Sequence, residues 1–110
     1  HTIKGLNAKY KAAQNEFESK SKYLLLDMEN KLTCLETAYK QVRVAEIGLE
    51  LAQTNRIEYE DGYKNGTEKL SDYLESMALE QEKQNKLDEA KADYFEAKTA
   101  FLISIAKLEY

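Results

Sequence analysis

The chain contains no proline in its 110 residues, whereas an average chain of this length would hold about five or six. Proline interrupts helices because it lacks a backbone donor and clashes with the preceding turn, so its absence permits long helices. Only four glycines occur, and three of them, Gly48, Gly62 and Gly66, lie in the middle third. Charged residues make up 33% of the chain, which is typical of helices that expose much of their surface. These features predict an all-α fold.

The apolar residues of the first half recur at alternating steps of four and three, which places them on one face of a helix. The series is Leu6, Tyr10, Ala13, Phe17, Leu24, Met28, Leu35, Ala38, Val42, Ala45, Leu49, Ala52 and Tyr59, with Lys20, Lys31 and Arg56 as polar exceptions. The pattern predicts one helix over about 2–64. Ala38, Ala45 and Ala52 are small, so we expect a second helix to pack closely there, with Gly48 as a position of close approach or, alternatively, of a local bend.

Residues with turn chemistry follow this helix over 61–67. Asn65 and Gly66 tolerate the positive φ with which helices commonly end, and Thr67 can cap a following helix. We predict a chain reversal over about 62–67 and a second helix over about 67–109. Its seam comprises Leu70, Tyr73, Met77, Leu87, Tyr94, Phe101, Ile105 and Leu108, flanked by Ala90 and Ala97 and interrupted by Glu80 and Gln84.

Two long antiparallel helices forming a coiled-coil hairpin are the predicted architecture. The first helix is the longer one, so it must extend past the end of the second. No run of apolar residues approaches the roughly 18–20 needed for a transmembrane helix. The net charge is −4 and the basic residues are scattered, which argues against nucleic acid as a partner.

Catalytic and ligand-binding motifs are missing from the sequence. His1 is the only histidine, which argues against histidine-based catalysis and against a Glu-x-x-His di-iron bundle. Gly62 and Gly66 are not followed by the Lys-Ser/Thr element of a phosphate-binding loop. Cys34 has no histidine partner and is interpreted as a small residue beside the seam. We therefore predict neither an enzyme nor a metal or cofactor site.

The joint spacing of residues around the turn is more specific than any single motif. The turn carries Tyr63, Gly66, Thr67, Leu70, Asp72 and Leu74, and the return helix carries Ala90, Tyr94, Ala97 and Leu108. This pattern of Tyr-x-x-Gly-Thr/Leu, then Leu-x-Asp-x-Leu and an alanine-rich return helix resembles the second helical repeat of the TolC-like outer-membrane efflux proteins. The resemblance is strong from about Val42 onward, and before Leu24 it is that of a generic coiled coil.

The resemblance implies a conduit made by three copies of the chain. Members of this family are homotrimers whose chains build a periplasmic α-helical barrel, continued by a β-barrel through the outer membrane of Gram-negative bacteria. The present chain would be one periplasmic hairpin of a longer protein, with membrane contact only through the missing β-barrel part. The expected partners are a periplasmic adaptor (a membrane fusion protein) and an inner-membrane transporter. The expected role is export of small molecules or proteins in tripartite efflux or type I secretion.

The resemblance also implies roles for individual residues. Asp72 and Glu75 would line the pore near its aperture, where three copies would form carboxylate rings that attract cations. An aspartate in the first turn of any helix is, however, also favoured by the helix dipole alone. The entrance tip and adaptor contact would comprise Tyr63, Lys64, Asn65, Gly66, Thr67, Glu68 and Leu70. Glu68 reverses the charge of an arginine that some members carry there.

A soluble antiparallel coiled-coil scaffold, or the hairpin of a periplasmic adaptor, is the alternative interpretation. A free-standing two-helix coiled coil favours large residues throughout its seam, whereas this seam contains many alanines. Further apolar residues stand beside it, notably Ile47, Leu51, Leu102 and Ile103. Such residues give each helix two neighbours, as a closed barrel requires, which favours the conduit.

Overall fold

The computed structural model describes residues 3–109, which form two helices joined by a short turn. Helix α1 comprises Ile3–Lys64 and helix α2 comprises Leu70–Glu109. The helices pack antiparallel into a rod of 96 × 17 × 14 Å, whose length is close to that of α1 alone. The predicted all-α coiled-coil hairpin is confirmed, and the predicted first residue of its first helix, Thr2, lies outside the described residues.

The buried seam of α1 keeps the predicted period without a break from Leu24 to Tyr59. Its buried and half-buried positions are Leu24, Met28, Lys31, Leu35, Ala38, Val42, Ala45, Leu49, Ala52, Arg56 and Tyr59. Ala52 is only 5% exposed, since a small side chain lets α2 approach closely. Lys31 and Arg56, two of the three polar exceptions, therefore lie in the seam itself, whereas Lys20 is exposed.

The seam of α2 is equally regular but differs from the predicted one near the turn. Its buried and half-buried positions are Tyr73, Ser76, Glu80, Lys83, Leu87, Ala90, Tyr94, Ala97, Phe101, Ser104 and Leu108. The prediction placed Leu70 and Met77 in the seam, and it was wrong because they are 48% and 43% exposed. Ser76 and Ser104 are buried, at 5% and 3% exposure. Small side chains at these positions allow close contact between the helices.

The turn spans 65–69, and one carbonyl organises it. The carbonyl of Gly62 accepts hydrogen bonds from the Thr67 backbone N–H at 2.8 Å, the Glu68 N–H at 3.1 Å and the Thr67 hydroxyl at 3.1 Å. Gly66 has a φ of 78°, the only positive φ among residues 3–109. These bonds satisfy the Gly62 carbonyl, which the end of α1 would otherwise leave without a partner.

Thr67 differs from its predicted role as the cap of the second helix. Its hydroxyl donates back to α1, and α2 begins at Leu70 rather than at Thr67. The first α2 bond in this region runs from the Tyr73 N–H to the Lys69 carbonyl at 3.2 Å. Asp72 supplies the acidic residue of the first turn, which the helix dipole favours.

The far end of α1 extends beyond the level at which α2 packs against it. Every residue over 3–20 is exposed, and the first half-buried position is Ser21. The large apolar residues Leu6, Tyr10 and Phe17 are 63%, 71% and 71% exposed. The predicted extension of the first helix is therefore observed, and its apolar face has no partner within residues 3–109.

Candidate functional site at the hairpin tip

The residues predicted to form the tip are gathered at one end of the rod. Lys64, Asn65, Gly66, Thr67 and Glu68 are all exposed. Leu70 is 48% exposed and Tyr63 is 42% exposed. The structure thus presents a short, solvent-facing cap with apolar side chains beside its polar ones.

Two glycines at the tip are required for different reasons. A Cβ at Gly62 would collide with the Cγ of Glu68 and approach its Cβ to 3.1 Å and the Thr67 Oγ1 to 3.2 Å. Gly66 is surrounded by open space, but its φ of 78° is strained for residues with a side chain. The sequence predicts the positive φ at Asn65 and Gly66, but it does not predict the steric requirement at Gly62, because that requirement depends on the path of the turn.

An aromatic pair ties the tip to α2. The rings of Tyr63 and Tyr73 stack with centroids 5.8 Å apart and an interplanar angle of 26°. Tyr73 is half-buried in the seam, so the stack continues the hydrophobic contact up to the turn. Offset stacking of this kind contributes about 0.5–1.5 kcal/mol beyond the buried area.

Asp72 and Glu75 share one face of α2, because they are three residues apart. Both line a shallow groove of about 150 Å³ whose α1 wall is formed by Asn55 and Tyr59. Asp72 is half-buried and Glu75 is exposed. Within residues 3–109 neither carboxylate is paired with a cationic side chain. The structure therefore brings together the two predicted acidic residues and leaves their charge uncompensated.

An interhelical charge network lies about two helical turns below the tip. The Nε of Arg56 donates to the Glu80 carboxylate across the seam, and its Nη1 donates to Glu60 on its own helix at 2.8 Å. Lys64 reaches the other oxygen of Glu60 at 3.3 Å. The hydrogen bond to Glu80 raises the pKa of Arg56, so the guanidinium remains charged.

In the sequence, Arg56 and Glu80 are separate polar interruptions of two seams. Both residues occupy seam positions, and this could have predicted their contact, since opposing seam positions of antiparallel helices meet. Cys34, which was interpreted as a residue beside the seam, is exposed.

Each helix also carries apolar residues outside the seam. On α1, Val44, Ile47 and Leu51 are 69%, 52% and 67% exposed, and their spacing of three and four places them on one face. On α2, Phe95 and Leu102 are 69% and 55% exposed and are one heptad apart. We call these two sets the outer apolar faces of α1 and α2.

Comparisons with known proteins identify no relative of this chain: no family model matches it, and neither does any curated protein or solved structure. Over residues 3–109, no helix combines the length and the apolar character needed to cross a bilayer. The same part of the chain contains no group of three or more His, Cys, Asp or Glu side chains arranged to hold a metal ion.

Proposed function

We propose that this chain is a periplasmic hairpin of a TolC-like outer-membrane conduit. In this proposal three copies of the complete protein assemble around a pore that exports small molecules or proteins, in a tripartite efflux or type I secretion system of a Gram-negative bacterium. The hairpin works through shape and charge and carries out no bond chemistry. Its further partners are a periplasmic adaptor and an inner-membrane transporter.

The outer apolar faces are the observation that carries the proposal. A hairpin buries one stripe of each helix, and the stripes with Leu51 on α1 and Leu102 on α2 remain in water. Exposed apolar surface of this kind indicates an interaction surface. In a closed barrel each helix has a neighbour on both sides, so both faces would be covered by adjacent helices.

The tip supplies the second line of support. Its exposed turn is held by the Gly62 carbonyl and by the stack of Tyr63 on Tyr73, so it presents a defined shape to an adaptor. Asp72 and Glu75 lie close to this end, and neither is paired with a cationic side chain of residues 3–109. Repeated around a threefold axis, these carboxylates would make the aperture cation-attracting.

Sedimentation of the hairpin tests the outer apolar face directly. We expect the 110-residue chain to associate as its concentration rises, and the variant Val44→Gln, Ile47→Gln, Leu51→Gln to associate at least about tenfold more weakly. Burial of each of these side chains contributes roughly 1.5–3 kcal/mol, and about 1.4 kcal/mol corresponds to one tenfold step.

A matched control changes exposed polar residues of the same helix that lie outside the outer apolar face of α1, with Gln41→Ala, Glu50→Gln and Gln53→Ala. This control is expected to associate like the unmodified chain. A fully helical monomer at every concentration would contradict the two-sided packing and would favour a soluble coiled-coil scaffold.

A further inference from the structure

The repeated alanines of the seam do not by themselves distinguish one alignment of the helices from the next. Ala38, Ala45 and Ala52 repeat every seven residues in α1, and Ala90 and Ala97 do so in α2. If α2 slid along α1 by one heptad, about 10 Å, similar small residues would again face each other. Another feature must therefore select the observed register.

Two polar contacts between the helices lie near opposite ends of the shared seam. Near the tip, Arg56 donates to Glu80, and their side chains are 27% and 25% exposed. Near the other end, the Ser104 hydroxyl donates to Asp27 Oδ2 at 2.8 Å. Ser104 is 3% exposed and Asp27 is half-buried, so this pair is also largely removed from water.

A slip of one heptad would break the pair near the tip in either direction. In one direction Arg56 would come level with Tyr73, and Glu80 with Leu49. In the other direction Arg56 would come level with Leu87. Each slip would leave the partly buried Glu80 carboxylate without its cation, while Arg56 would keep only Glu60 on its own helix, and loss of one partner from such a pair is unfavourable.

The Asp27–Ser104 pair at the far end also disfavours a shifted alignment of the helices. The slip that brings Arg56 to Tyr73 would move Asp27 to the level of Ala97, which offers no donor. The same slip would shift the chain reversal toward Gly62, a second glycine able to adopt the positive φ of a turn. The turn therefore does not exclude this alternative by itself.

We propose that the polar pairs Arg56–Glu80 and Asp27–Ser104 select the register of the hairpin, while the apolar seam supplies its stability. A buried polar pair adds little net stability over apolar residues, but it penalises every alignment in which its members lose each other. The selected register sets the distance between the tip and the outer apolar faces. The inference does not depend on the proposed conduit.

Pulsed electron resonance between two nitroxide labels tests this inference. The labels are placed at the exposed positions Glu58→Cys and Lys98→Cys in a Cys34→Ser background, and labelled chain is diluted with unlabelled chain. The chain with both pairs intact is expected to give one distance. The variant lacking both pairs, with Arg56→Leu, Glu80→Leu, Asp27→Leu and Ser104→Ala, is expected to give a second distance displaced by about 10 Å.

The control variant Arg43→Leu, Glu46→Leu removes an exposed ion pair within α1 and is expected to retain the single distance. One unchanged distance in the variant lacking both polar pairs would overturn the inference. Loss of its helical circular-dichroism signal would overturn it as well, because the pairs would then supply stability that the apolar seam lacks.

Discussion

The glycines show how differently single positions of this chain are constrained. A Cβ at Gly48 would have the Lys83 Cδ as its nearest neighbour, at an ordinary contact distance of 3.8 Å. The interpretation of Gly48 as a position of close approach within the hairpin is therefore wrong. At Gly62, by contrast, the turn folds back over the helix and Glu68 occupies the space that a Cβ would need.

Alanine substitutions at these two helical glycines are expected to have opposite signs. Gly48→Ala should raise the free energy of unfolding by about 1 kcal/mol, the difference in helix propensity. Gly62→Ala gains the same propensity but overpacks its site, which costs about 1–3 kcal/mol, so the net effect should be a loss. Urea denaturation at one low protein concentration measures the free energy of unfolding of both variants. An equal gain in stability in the two variants would show that Glu68 moves aside freely.

At the scale of helices, the sequence predicts most of the structure because its period is unbroken. The seam of α1 from Leu24 to Tyr59 follows from the spacing of apolar residues alone. Burial of Ser76 and Ser104 does not follow from the sequence pattern, since serine is a polar residue that is usually found at the surface. Their hydroxyls bond to the Tyr73 carbonyl and to Asp27, which makes burial acceptable. The start of α2 was missed because Thr67 bonds backward to α1.

The exposed extension of α1 is expected to open far more readily than the paired part. Most of the stability of a helix in a protein comes from packing of its apolar face, and every residue over 3–20 is exposed in the hairpin. Amide hydrogen exchange over 3–20 should be at least about tenfold faster than over 35–59. Equal protection of both segments in the isolated chain would show that another copy covers the extension.

At the scale of the whole molecule, the sequence predicts only part of the candidate site. The tip position and the shared face of Asp72 and Glu75 follow from residue spacing, and the structure places these residues as expected. The Arg56–Glu80 contact and the Tyr63–Tyr73 stack required the alignment of two helices, which a repetitive seam leaves open. The proposed threefold pore depends on surfaces that face away from the hairpin, and neither helix alignment nor residue spacing tests it.

Conductance in a planar bilayer, measured on the longer protein that the proposal implies, tests the proposed pore role of Asp72. Asp72→Asn removes the charge while keeping the shape of the side chain, so block by multivalent cations should weaken at least about tenfold, with helix content unchanged. Asp88→Asn, at an exposed aspartate of α2 bonded to Gln84, is the matched control and should leave block unchanged. Equal cation block in the unmodified protein and in both variants would show that Asp72 does not line the lumen.

The strict seven-residue repeat of the seam has a geometric consequence for any neighbour. A straight α-helix drifts by about 20° per heptad from such a repeat, so the five heptads from Leu24 to Tyr59 accumulate roughly 100° unless the helices wind around each other. A left-handed supercoil keeps the seam closed, and the outward-facing surface of each helix follows the same supercoil. A straight partner could follow that surface only briefly, so a long interface requires a partner that winds with the same pitch.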